Sequence, residues 1–215
     1  MTISEPTTML TDYTLAGVTG WLGWLLFRMR DGQASRSLWS LAFIGLALGA
    51  ALGGTYHGFA PAFDENLHHL LWKVTILAIG IASFGMLAGS VIAKTTNPHR
   101  KILLALTTAK LALYSGWMLA HDEFIYVIAD TGIAMALVAA LHGWSAMRER
   151  DRASRWMLGA VGASALAAGV QASGFALHRH FNHNDMYHVI QIAAMALFYI
   201  GAGRLRDRSK HEEPE

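Results

Sequence analysis

Apolar runs alternate with short charged clusters along the whole 215-residue chain. The runs fall at Met9–Phe27, Leu38–Ala60, Leu70–Ala93, Ile102–Ala120, Phe124–Ala146, Trp156–Leu177 and Met186–Gly203. Each is close to the ~20 residues that a helix needs to cross a bilayer. The pattern predicts an all-α fold: a seven-transmembrane helix bundle over residues 1–206, then a polar, disordered cytoplasmic tail over 207–215. Seven spans use most of the chain and leave no room for a soluble second domain. Gly45, Gly49 and Gly53 recur every four residues and so line one helical stripe. Such stripes let backbones approach closely where lipid supplies no hydrophobic drive for packing.

Charge gives the bundle a direction. The clusters after the odd spans hold three, three, four and four Lys or Arg, fourteen of the seventeen in the chain. The opposite side holds only Lys73 and Arg179, and Lys110 lies inside the fourth run. This bias predicts an N-terminus outside and a C-terminus in the cytoplasm. Composition agrees, with 53% hydrophobic and 15% charged residues, where soluble domains carry roughly 25% charged. A net charge of +2 spread over loops gives no reason to expect nucleic acid. The absence of cysteine excludes disulfides, thiolate ligands and a cysteine nucleophile. The opening MTISEPTTMLTD lacks the basic stretch of a signal peptide, and no lipidation signal is expected. The seven tryptophans, mostly near span ends, read as interfacial anchors.

With this orientation, most histidines and several acids gather at the outer ends of the spans. His57 ends the second span, His68 and His69 open the third, and His183, Asp185 and His188 open the seventh. Asp185 to His188 and His188 to Gln191 are i,i+3 pairs, so they share a helical face. His68 and His69 point about 100° apart, so only one of them faces the bundle. Three convergent ligands and a water are the usual plan for a catalytic zinc, which lowers the pKa of that water to ~7. The candidate metal ligands are therefore His57, His68, His69, His183 and His188, with Asp185 or Asp122 as general base. A plainer role for Asp185 is to cap the seventh helix, since Asn184 and Asp185 both suit an N-cap. His99, His121, His178, His180 and His211 read as interfacial, and His142 as structural. Lys110 and Asp130, inside spans four and five, need partners and suit each other. Gln171 and Gln191 are further polar residues that would extend a network inside the bundle.

The layout resembles the CREST superfamily of seven-span proteins, which includes alkaline ceramidases, adiponectin-type receptors and GPI-remodelling hydrolases. Its members carry Ser-x-x-x-His in span two, Asp in span three and His-x-x-x-His in span seven, around an intramembrane zinc. The resemblance places His57 and His188 on two of those histidines. Gly53 stands at the serine position, Asn184 at the first span-seven histidine, and His68 or His69 at the aspartate. It implies a zinc-dependent hydrolase of a lipid amide or ester, with zinc held by His57, His188 and one of His69, Asp185 or His183. Membrane lipids would then be partner and substrate. The strings Gly-Gly-Thr-Tyr-His and His-Asn-Asp-Met-Tyr-His-Val-Ile-Gln also resemble an uncharacterised bacterial membrane protein family, which implies a bacterial inner (cytoplasmic) membrane. Two other functions fit the same residues. One is a non-catalytic sensor, assembly factor or small transporter with a structural or pH-responsive histidine cluster. The other is a bis-histidine b-type haem protein that uses His57 and His188.

Overall fold

The computed structural model describes residues 3–209. It contains seven long helices: α1 (Pro6–Arg28), α2 (Ala34–Phe59), α3 (Glu65–Lys94), α4 (His99–Ala120), α5 (Phe124–Arg148), α6 (Arg152–Ser173) and α7 (His183–Ala202). A single 3-10 turn, Ala60–Ala62, follows α2. Among the described residues there is no strand, only an isolated bridge between His178 and Phe181. The all-helical expectation is therefore met, with each expected apolar run inside or overlapping one helix.

Five helices, α2, α3, α4, α5 and α7, are long and apolar enough to cross a membrane, which fits an integral membrane protein. α1 and α6 fall outside that set. α1 carries Asp12 and several threonines, and α6 is built largely of Ala, Gly and Ser with Arg155 and Gln171. Helix α3 is the axis of the packing. It touches α2, α4 and α5, and 72% of its most apolar stretch is buried, against 17% for α4. α1 sits between α2 and α7, and α6 joins α5 to α7. The outward faces carry large exposed side chains, such as Leu113 at 76% and Leu119 at 70% on α4. Faces this apolar have no stable home in water.

Close packing follows from the glycines. A methyl group on Gly85 of α3 would sit 2.6 Å from the Leu38 carbonyl and 3.0 Å from the Ala42 nitrogen of α2. The stripe of α2 serves the same purpose: Gly45 faces Ala78 and Ala82, and Gly49 faces Ile79. Trp39 is fully buried against Phe198, with ring centroids 5.1 Å apart. Gly174 closes α6 at φ +67, a left-handed C-cap that favours glycine.

The C-terminal segment is docked as far as it is described. Asp207 accepts hydrogen bonds from the Ala34 and Ser35 amides at 2.7 and 2.9 Å, and so caps α2 from outside. Arg208 pairs with Glu149 at 2.7 Å. Asp207 and Arg208, expected in a disordered tail, are thus fixed by α2 and the α5–α6 loop. Residues 210–215, with His211, lie outside the described residues.

Candidate functional site

The start of α7 is fixed by a reciprocal cap. The Asn182 side chain accepts from the Asn184 and Asp185 amides, and Asp185 accepts from the Asn182 amide at 2.7 Å. The cap is therefore Asn182, two or three residues before the positions expected, and Asp185 serves it from N3. This fixes Asp185 one helical turn before His188 on a face turned into the bundle. Asp185 is 0% exposed and His188 is 8% exposed.

Two residues of α1 meet that face. His188 Nε2 lies 3.1 Å from Asp12 Oδ1, and His188 Nδ1 lies 2.9 Å from Thr11 Oγ1. Thr11 Oγ1 is also 3.4 Å from Asp185 Oδ1 and 3.0 Å from the Thr8 carbonyl, so three acceptors lie in reach of its single proton. Helix α2 closes the third side with glycines. A methyl group on Gly54 would fall 2.8 Å from Asp12 Cβ, and one on Gly53 about 3.8 Å from the Asp12 carboxylate. Gly54 thus lets a carboxylate-bearing turn of α1 lie close on α2, and at Gly53 a side-chain methyl would meet the carboxylate at ordinary contact distance. Asp12 Oδ2 is buried without a hydrogen-bond partner among the described residues. Beside this cluster, His57 Nδ1 pairs with Glu5 at 3.2 Å.

The other expected residues form a separate group. Lys73 donates to the Met118 and His121 carbonyls at 2.6 and 2.8 Å, which satisfies the C-terminus of α4, and it pairs with Asp122 at 2.8 Å. His69 reaches the same carboxylate at 3.5 Å. The hydrogen bond from Lys73 holds Asp122 below the usual carboxylate range, with the Lys73 charge and His69 adding to it. A carboxylate so held is a weak general base. His68 lies against Tyr56, with ring centroids 4.3 Å apart. Tyr56, Glu65, His68, His69, Trp72 and Asp122 line an open cavity of about 590 Å³. His183, the first residue of α7, is only partly buried.

Among the described residues, no three His, Asp or Glu side chains are placed to hold a metal ion. The expected ligands are divided: His57 faces Glu5, His68 and His69 belong to the second group, and both nitrogens of His188 are engaged by Asp12 and Thr11. The residues present do not fit a three-ligand zinc. The same engagement leaves His188 no free nitrogen for a haem iron.

Asp12 and Thr11 were not among the sequence candidates. The signal was available, since an acid inside a first apolar run is an ionisable group at membrane depth and so a functional candidate. Lys110 and Asp130 do pair, at 2.6 Å, with Ser83 hydrogen-bonded to the lysine at 3.0 Å. Gln171 donates to Asn184 at 3.1 Å and so joins the polar network at the start of α7 as expected, while Gln191 is buried on the inward face of α7. His142 is fully buried between Ser90 and Ser154, in keeping with a structural role.

Fold and site together define a helical, membrane-type bundle with a histidine–carboxylate cluster sealed between its first, second and last helices. The chain belongs to a family of unknown function (DUF6962), whose model matches residues 7–207 and so covers all seven helices. No curated protein and no solved structure matches the chain.

Proposed function

We propose that this chain is a non-catalytic membrane protein of seven spans that responds to protons at the Asp12–His188–Thr11–Asp185 cluster. The observation that carries the reading is His188, buried with a carboxylate on one ring nitrogen and a hydroxyl on the other. A neutral imidazole with its proton on Nε2 donates to Asp12 and accepts from the Thr11 hydroxyl. An imidazolium donates from both nitrogens, so the Thr11 hydroxyl must turn to another acceptor. The Thr8 carbonyl and Asp185 Oδ1 are both in reach. One proton on α7 thereby rearranges the hydrogen bonding of the first turns of α1. The cluster sets two carboxylates, Asp12 and Asp185, around one imidazole, with the Glu5–His57 pair and Tyr187 beside it. Ionisable groups at this depth are costly and usually serve a function.

The seven spans are part of this reading. α1 and α6 have 23 and 22 residues, a length of ~33 Å at 1.5 Å per residue, matching a hydrocarbon core of ~30 Å. The fourteen basic residues after the odd helices support an N-terminus outside and a C-terminus in the cytoplasm. The cluster then lies near the outer face, where it would meet the pH of that compartment. A lipid hydrolase of the CREST type rests on layout alone, because the donors do not fit its zinc.

The test is hydrogen exchange of the reconstituted protein before and after a pH step. Acidification is expected to change amide exchange in the first three turns of α1 and at the start of α7, and His188→Gln is expected to abolish that change. An unchanged pH response in His188→Gln would remove the cluster from this role.

A further inference from the structure

The face opposite the histidines carries a second constellation. A cavity of about 570 Å³ lies among the end of α3, the α5–α6 loop and the segment after α7. Lys94, Arg148, Arg204, Arg206 and Arg208 line it with only two acids, Glu149 and Asp151. Both acids are already matched. Lys94 pairs with Asp151, and Arg208 with Glu149. Burial alone would raise the Asp151 carboxyl, but the Lys94 hydrogen bond and charge, the Ser154 hydroxyl and the Ala153 amide hold it at about 2. Glu149 is likewise lowered: burial opposes its charge, and Ser145 and Arg208 outweigh it.

Three guanidinium groups therefore remain at the cavity without a carboxylate among the described residues. Arg148 stacks over Trp144 at 5.2 Å. Arg204 donates to the Ile200 carbonyl and lies 5.9 Å from the Trp156 ring. Arg206 has no polar side-chain partner among the described residues, yet its backbone is pinned, since Arg36 Nε binds the Leu205 carbonyl and Asp207 caps α2. A topological excess of positive charge explains why basic residues lie on this face. It does not explain why three unmatched arginines from two separate segments converge on one cavity. Guanidinium forks suit phosphate oxygens. The exposed Trp144 and Trp156 put the cavity at headgroup depth.

We propose that this cavity binds a phosphate group, carried by an anionic phospholipid or free in solution, through Arg148, Arg204 and Arg206. The proposal is independent of the proton reading. It is tested on the purified full chain by native mass spectrometry and thermal shift, with phosphatidylglycerol, phosphatidylcholine and inorganic phosphate as separate probes. Binding of phosphatidylglycerol above phosphatidylcholine identifies a lipid headgroup, and stabilisation by inorganic phosphate identifies a free anion. Either supports the site. The double variant Arg148→Gln, Arg206→Gln is expected to weaken the binding more than about tenfold, at about fivefold for each basic residue lost. Lys101→Gln removes an exposed basic residue on the same face outside the cavity, and is expected to change it less than about twofold. Binding of none of the three probes overturns the proposal, as does an equal loss in Lys101→Gln and the double variant.

Discussion

Lys110→Met tests the packing of α3, α4 and α5 at their most exposed assumption. The Lys110 ammonium lies 2.6 Å from Asp130 Oδ1 and 3.0 Å from Ser83 Oγ. The side chains are 20% and 7% exposed, and Asp130 Oδ2 is already without a partner among the described residues. At an effective dielectric near 20, unit charges ~3 Å apart attract by about 5–6 kcal/mol, before desolvation of both groups offsets most of that. Removing the lysine alone leaves that desolvation unreturned at Asp130, and the expected loss is ~3–5 kcal/mol. The double variant Lys110→Met, Asp130→Leu removes both charges from an apolar setting and is expected within ~1 kcal/mol of wild type, or more stable. The assay is reversible unfolding in mixed micelles, followed by circular dichroism, with all four corners of the cycle measured. A Lys110→Met protein as stable as wild type would refute the reasoning. So would a double variant no better than the worse single one.

Three further outcomes follow from the packing and the loops. Gly85→Ala drives a methyl group against the backbone of α2, which cannot rotate aside, so a loss of ~1–3 kcal/mol is expected in the same unfolding assay. Gly116→Ala on α4, with nothing within 4 Å, is expected to be neutral or to gain up to ~1 kcal/mol. Asp151 has a folded pKa depressed to about 2 from 3.8, so its contribution is present above the unfolded value and is lost as pH falls from near 4 towards 2. Lys94→Met is expected to flatten the stability profile across that window and leave the profile above it parallel to wild type.

The helices were legible in the sequence because a bilayer demands long apolar runs, and no other signal of that length competes. The glycine stripe of α2 was legible for a related reason, since close approach admits only small residues. α1 and α6 show the limit of the hydropathy signal. Part of their polar content, Thr8, Asp12 and Thr19 in α1 and Ser154 and Ser164 in α6, is turned inward and lowers their mean apolarity. The site was half legible. His188 and Asp185 stood out by their i,i+3 spacing at a helix start, yet their partners came from α1, and one sequence does not say which helices touch. His57 and His69 looked equivalent to His188 by depth, but depth around a bundle is shared by residues on opposite sides of it. Asn182 took the cap from Asn184 and Asp185 because helix starts are uncertain by a few residues. Gly53 appeared as a departure from a Ser-x-x-x-His pattern. In the fold its neighbour Gly54 is the residue that lets the turn of α1 carrying Asp12 pack against α2.

The central claim is that the buried cluster changes its protonation while it holds α1 to α7. Infrared difference spectroscopy of the reconstituted protein, taken from about pH 8 down through the whole acid range in which the fold is retained, reads this directly at imidazole and carboxyl groups. The account predicts coupled imidazole and carboxyl bands, both lost in His188→Gln and the carboxyl band altered in Asp12→Asn. A difference spectrum identical in wild type and both variants would contradict it.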